Sequence, residues 1–135
     1  DALGAHGLTI DPELDYATVY FSPEGGCTGA TELLRRGREF TAIFAMSDLM
    51  AIGAFRALKD RGLEVPGDVS VIGFDGLPVG EYLVPRLTTV DQPTAAMAQR
   101  GLALLLDAIE NGTPARHESV PFTLLYREST GPAKG

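Results

Sequence analysis

Two short runs of almost uninterrupted apolar character, Thr41 to Met46 and Val69 to Phe74, enclose a stretch whose apolar residues recur at helical spacing. Runs of that length without polar alternation suit strands covered on both faces, which is the habit of parallel sheets. Between them, Met50, Ala54, Ala57 and Leu58 make one apolar stripe on a helix from Leu49 to Arg61, and Ile52 and Phe55 make a second. Two stripes predict two packing partners. Ser47-Asp48 offers capping side chains before the helix, Gly62 offers a left-handed stop, and Pro66 prevents resumption. A strand, a helix and a second strand with short links form the crossover unit that parallel strands require.

The same grammar extends to both sides. Ala17 to Phe21 is a β-prone run ended by Ser22-Pro23-Glu24, where Ser suits an N-cap, Pro the first helical position and Glu the positive end of the helix dipole. The helix that follows has Ala30, Leu33 and Leu34 on one face and Gly37 as its stop, while Gly25, Gly26 and Gly29 weaken its first turns. The expected class is therefore α/β, an open parallel sheet flanked by helices, with the 41–46 strand central. Downstream, 76–86 reads as an irregular loop and Leu87 to Val90 as a short extended run. Thr94 is placed to cap a helix reaching Asn111, with Met97, Gly101, Leu104, Leu105, Ala108 and Ile109 on one face and Gly112 as the stop. Val120, Phe122, Leu124 and Tyr126 alternate with Ser119, Pro121, Thr123 and Leu125, the period of a strand with one buried face, and Pro121 points to a sheet edge.

Composition narrows the function classes. The 135 residues, 44% hydrophobic, support one core. Eighteen acidic against eleven basic side chains give a formal net charge of −7, which argues against these residues gripping phosphates themselves. Cys27 is the single cysteine, so neither an internal disulfide nor a shared-cysteine metal site is available, and a reduced, cytoplasmic setting is expected. No stretch approaches the roughly 18 to 20 apolar residues that span a bilayer, so no membrane partner is expected. The opening DALGAHGLTIDPEL has neither an initiator Met nor a targeting pattern and reads like the tail of a longer helix, which suggests a fragment; the closing GPAKG is expected to fray.

Ligands of open α/β sheets bind outside the carboxyl ends of the strands. Those ends carry aromatic Phe21, the pair Ser47-Asp48, and Asp75 within GFDG. Two carboxylates, a hydroxyl and a flat ring suit a polyhydroxylated, sugar-like ligand, because a carboxylate accepts from two hydroxyls at once and a ring covers the C–H side of a sugar. Each residue also has an ordinary use: Ser and Asp cap helices, Asp75-Gly76 makes a turn, and Phe21 could fill the core. Their shared location at successive strand ends is what raises them above those uses.

Other signals are weaker. His6 and His117 lie far apart with no Cys or paired carboxylate at metal spacing, so no metal site is expected. Cys27 lies near a helix start but without a Cys/His/Asn signature, and EGGCTGA lacks both the GxxxxGK[ST] ending and the GxGxxG spacing. Arg35-Arg36-Gly37-Arg38 reads as a solvated helix end. No catalytic constellation and no cofactor is implied, and the chain is not expected to be an enzyme.

The stretch TAIFAMSDLMAIGAFRALKDRGLEVPGDVSVIGFDGLPVGEYLVPRLTTVDQP at 41–92, with FSPEGG at 21–26 and LLYREST at 124–130, resembles the core of LacI/GalR-family transcriptional regulators in order and spacing. The resemblance implies the C-terminal part of a periplasmic-binding-protein-like core. Residues 1–92 would form most of the C-terminal α/β subdomain, 93–112 a crossover helix belonging to the N-terminal subdomain, and 113–135 a returning strand and tail. It implies a small-molecule effector, a sugar or related polyol, met by Phe21, Ser47, Asp48, Asp75 and Gln92, the last from VDQP. Ser47 stands where the family often has Asn. It assigns Ile52, Phe55, Tyr82 and Leu83 to a homodimer interface, which fits the two stripes; the lesser alternative is that both are covered within the chain. Operator DNA would be contacted only by a helix-turn-helix domain outside these residues. A periplasmic or lipoprotein sugar-binding protein of the same fold is the alternative.

Overall fold

The computed structural model describes residues 2–7, 9–13, 15–37 and 39–133. Arg38 of the basic run and the last two residues of GPAKG lie outside the described residues. Four strands form one sheet in the order β1 (Ala42–Phe44), β2 (Ser70–Asp75), β3 (Thr88–Asp91) and β4 (Thr123–Leu125). The first three are parallel, as the crossover pattern predicts, and β4 runs antiparallel to β3. Among the described residues the α-helices are α1 (Ala2–Ala5), α2 (Pro23–Arg35), α3 (Asp48–Asp60) and α4 (Thr94–Asn111). Among the described residues no helix is long and apolar enough to cross a membrane.

The start signals of α2 and α3 and the glycine stops act as read. Ser22 is the N-cap of α2, its hydroxyl accepting from the Gly25 N–H at 3.0 Å, and Pro23 opens the helix. Ser47 caps α3 in the same way, accepting from the Met50 N–H at 3.2 Å. Gly37, Gly62 and Gly112 all take positive φ just past helix ends, where a side chain would be strained.

The core lies between the sheet and the α2/α3 pair. Ile43, Val71 and Leu87 of the sheet layer pack with Ala30 of α2 and with Ala51, Ala54, Ala57 and Leu58 of α3. Leu58, Val71 and Leu87 are fully buried, each contributing about 1.5–3 kcal/mol of apolar transfer. The two helices touch backbone to backbone. A Cβ on Gly53 would lie 1.9 Å from the Pro23 carbonyl oxygen, and one on Gly26 would lie 2.0 Å from that of Met50. These glycines therefore set the interhelix distance. Gly26 costs α2 some intrinsic stability and returns it as close packing.

Four expectations are corrected. Ala17 to Phe21 is not a strand: it runs beside α2, with Val19 and Ala17 against Gly29 and the Tyr20 carbonyl over Gly25. Without that neighbour β1 is an edge strand, not a central one, and Phe44 is exposed. Thr94 is the first helical residue rather than the cap; Pro93 holds the cap position and makes no side-chain cap bond. The last strand is three residues long because its ladder on β3 covers only Thr89, Val90 and Asp91. Beyond that ladder Phe122 and Tyr126 are exposed, so the alternating burial expected for 119–126 is not realised.

The segment after β4 seals the sheet. Ser129 is fully buried, its hydroxyl donating to the Val71 carbonyl at 2.6 Å and accepting from the Thr88 N–H at 2.8 Å. Arg127 donates to the Leu87 carbonyl at 2.8 Å and pairs with Glu81. Those bonds fasten the 3-10 turn Pro78–Tyr82 to the sheet. By contrast, α4 buries none of its residues, and Met97, Leu102, Leu105, Leu106 and Ile109 are exposed along it.

Candidate functional site

The carboxyl ends of β2 and β3 meet side by side. Asp75 is the register partner of Asp91, and the following residue, Gln92, donates from its side-chain amide to Asp75 Oδ1 at 2.8 Å. Among the described residues no donor sits on Asp75 Oδ2, so that oxygen can accept from a ligand hydroxyl. The backbone here is unusual. Asp75 has φ of 122°, the one non-glycine residue with positive φ among those described, and Gly76 follows at 77°. A side chain on Gly76 would lie 2.2 Å from Asp91 Oδ1, so the turn closes tightly over β3. A non-glycine residue held in that region costs about 1–3 kcal/mol and persists where the surroundings enforce it.

The remaining strand-end residues fall in different places. Phe21 is exposed, immediately before the Ser22 cap. Ser47 is buried and takes the capping role. Asp48 departs from the expected presentation to a ligand: it is 0% exposed, with Oδ1 accepting from the Thr89 hydroxyl at 2.6 Å and Oδ2 from the Leu77 N–H at 2.6 Å. A buried carboxylate at the first position of a helix is favoured by the helix dipole and needs hydrogen-bond partners, and these two donors give each oxygen one. The structure thus brings Asp75 and Gln92 together above the turn and sets Asp48 behind it.

Comparison with known proteins gives the frame for this geometry. Residues 1–130 match the periplasmic binding protein-like domain. The chain belongs to that family, and its relatives include LacI-type regulators. One relative is the HTH-type transcriptional regulator MalR of Streptomyces coelicolor, 44% identical over the whole of this chain and 39% of its own length. A sugar-binding LacI-family transcriptional regulator from Escherichia coli, in complex with phosphate, superposes with a TM-score of 0.83 at 37% identity, covering 97% of this chain and 47% of that one. The transcriptional regulator CelR in its cellobiose complex gives a TM-score of 0.84 at 38% identity, covering 95% and 39%. The chain thus spans about two fifths of the length of its curated relative.

Within this periplasmic binding protein-like fold, sequence reading missed three site neighbours. Asp91 adjoins Gln92 and shares a sheet face with Asp75, a relation visible only once the β2/β3 register is known. Phe44 and Met46 are more than half exposed at the end of β1, and the Phe44 ring stands edge-on to Phe74 at 6.3 Å. The apolar run that predicted the strand gave no sign that its last residues would be open.

A broad groove of about 800 Å³ lies elsewhere, between residues 17–19 and the α2/α3 pair, lined by Val19, Cys27, Ile52, Gly53 and Arg56 among others. Volume alone favours it, but the convergent polar groups are at the strand ends. Ile52 faces this groove, Phe55 is half-buried, Tyr82 is 84% exposed, and Leu83 packs partly against the core. Tyr82 directly follows Glu81, whose carboxylate pairs with Arg127.

Proposed function

We propose that this chain is the sugar-type effector-sensing and dimerisation part of a LacI-like DNA-binding transcriptional regulator. The single observation that carries this reading is the Asp75–Gln92 pair at the carboxyl ends of β2 and β3, in a chain matched end to end by regulators of that type. Asp75 and Gln92 receive effector hydroxyls, Phe21 supplies an aromatic face, and Ser47 and Asp48 support the turn from behind. Only part of such a cleft is built here, so the effector lies between these residues and a second subdomain, into which 93–112 crosses with its apolar α4 face. Residues 1–92 form the C-terminal subdomain and 113–135 the returning strand. The protein works in the cytoplasm, and operator DNA is contacted only by a domain outside these residues, in keeping with the net charge of −7. Effector binding shifts a population between two cleft arrangements and so biases DNA affinity. The names of the relatives favour this over a periplasmic or lipoprotein sugar-binding protein.

A thermal-shift screen of the intact protein against mono- and disaccharides tests the reading. At least one sugar should raise the melting temperature in a concentration-dependent way, as a ligand that binds only the native state must. Silence across pentoses, hexoses and their disaccharides would remove the sugar assignment.

Ile52, Phe55, Tyr82 and Leu83 form the homodimer face. Two stripes on α3 support this, since the core uses Ala54, Ala57 and Leu58, and Ile52 and Phe55 keep exposed area. Tyr82→Asp combined with Ile52→Asp should convert the intact protein to a monomer in size-exclusion chromatography with light scattering, because two carboxylates would be desolvated at the centre of the contact. A dimer that survives both changes places the interface elsewhere.

A further inference from the structure

Asp48 is fully buried, and the proposed effector contact does not touch it. Its carboxylate joins three sequence-distant elements. It leaves the first turn of α3, takes the Thr89 hydroxyl of β3 on Oδ1, and takes the Leu77 N–H, two residues beyond Asp75, on Oδ2. Space for it is made by Gly73, where a Cβ would lie 2.2 Å from Asp48 Oδ1 and 3.0 Å from Leu87 Cδ2. Between Gly73 and Leu77 the chain passes through Asp75 at φ 122° and Gly76 at 77°. A conformation so rarely adopted by a residue with a side chain persists only where its flanks are held. One flank is the β2/β3 ladder, with Gln92 fastened to Asp75 Oδ1; the other is the Leu77 N–H on Asp48.

We propose that Asp48 is a positioning residue: by holding the Leu77 amide against Thr89 and the start of α3, it keeps Asp75 in its left-handed conformation and so aims the Asp75 carboxylate at the effector. The aim of Asp75 is then tied to helix α3, the same helix that carries Ile52 and Phe55. This rests on the reading above that Asp75 and Gln92 meet the effector. Charge-assisted hydrogen bonds are short and about twice as strong as neutral ones, so the neutral Asp48→Asn should hold Leu77 less firmly while keeping the side-chain volume. Thr89→Val should free Oδ1 without touching Leu77 directly.

The test compares Asp48→Asn, Asp48→Ala and Thr89→Val in the intact protein, with Leu58→Ala as a variant that loosens α3 through its core instead. Two signals in 15N TROSY spectra report the geometry without any ligand: the Leu77 backbone amide and the Gln92 side-chain amide that donates to Asp75. In Asp48→Asn both should move, the Leu77 proton upfield as its bond to a charged acceptor is lost, with larger movement in Asp48→Ala. Leu58→Ala should lower the melting temperature yet leave the Gln92 signal in place. Titration with cellobiose and with ribose, a disaccharide and a pentose, forms the second arm. Affinity for whichever sugar binds should fall about tenfold in Asp48→Ala, with partial rescue in Asp48→Asn. A Gln92 signal that stays fixed in folded Asp48→Asn and Thr89→Val overturns the positioning role, whether or not either sugar binds. Signals that move while sugar affinity is unchanged leave the positioning role standing and overturn instead the assignment of Asp75 and Gln92 to the effector. If Asp48→Ala does not fold, the other two variants decide.

Discussion

Replacing Gly53 by Ala is expected to destabilise the protein by about 3 kcal/mol or more, although alanine is the better helix former by about 1 kcal/mol. The reason lies across the helix pair. The new methyl would sit 1.9 Å from the Pro23 carbonyl oxygen and 2.5 Å from the Cys27 nitrogen, both backbone atoms of α2 that no rotamer change can move. Relief requires α2 and α3 to separate, which opens gaps around Ala30, Ala51 and Ala54, and interiors packed at crystal-like density tolerate such gaps poorly. Urea denaturation should show a much lower midpoint with a similar slope. Gly26→Ala should behave alike, since its methyl would meet Met50 backbone from the other side. A Gly53→Ala protein within about 1 kcal/mol of the parent would mean that the helix pair does not depend on this contact.

Asp75→Ala in the intact protein is expected to lower effector affinity about a hundredfold, the scale of a charge-assisted hydrogen bond worth up to about 3 kcal/mol, with little loss of folding. Stability should change little because the side chain's one partner among the described residues, Gln92, can turn to water. Asp75→Gly sharpens the experiment. At φ 122° glycine is unstrained and alanine is not, so the glycine variant should melt higher than the alanine variant by roughly 1 kcal/mol in stability, while both lose affinity equally. Affinity measured by calorimetry with the sugar found in the thermal screen, set beside the two melting temperatures, separates loss of the carboxylate from backbone strain. Unchanged affinity in both variants would move the effector away from Asp75.

Much of the fold was legible along the chain because its signals are local. Ser22 and Ser47 cap because their own N–H neighbours lie three residues on, and Gly37, Gly62 and Gly112 stop helices through their own φ. The apolar runs at 41–46 and 69–74 named two parallel strands by length and composition alone. Legibility failed where an element depends on a neighbour. Ala17 to Phe21 has strand composition, yet a strand exists only with a ladder partner, and here the segment lies on the Gly29 face of α2. The strand near the carboxyl end ran out for the same reason, because β3 pairs with only three of its residues.

The site divides along the same line. Asp75 and Gln92 were found from sequence as a strand end and a VDQP match, and the structure adds that one side chain holds the other. Asp48 looked the same as Ser47 in sequence, a polar residue before an apolar helix. Whether its carboxylate meets solvent or the interior depends on Thr89, 41 residues away, and on the gap left at Gly73. By itself the sequence determined the α/β class, the crossover unit, the Ser22 and Ser47 caps, the glycine stops, and the family resemblance, all of which arise from spacing within one turn or one run. Only the tertiary structure decided that Gly26 and Gly53 are a contact rather than a weakness, that β1 is an edge, and that Asp48 turns inward. Close approach and buried hydrogen bonds are properties of pairs distant in the chain, and no local pattern encodes the distance between them.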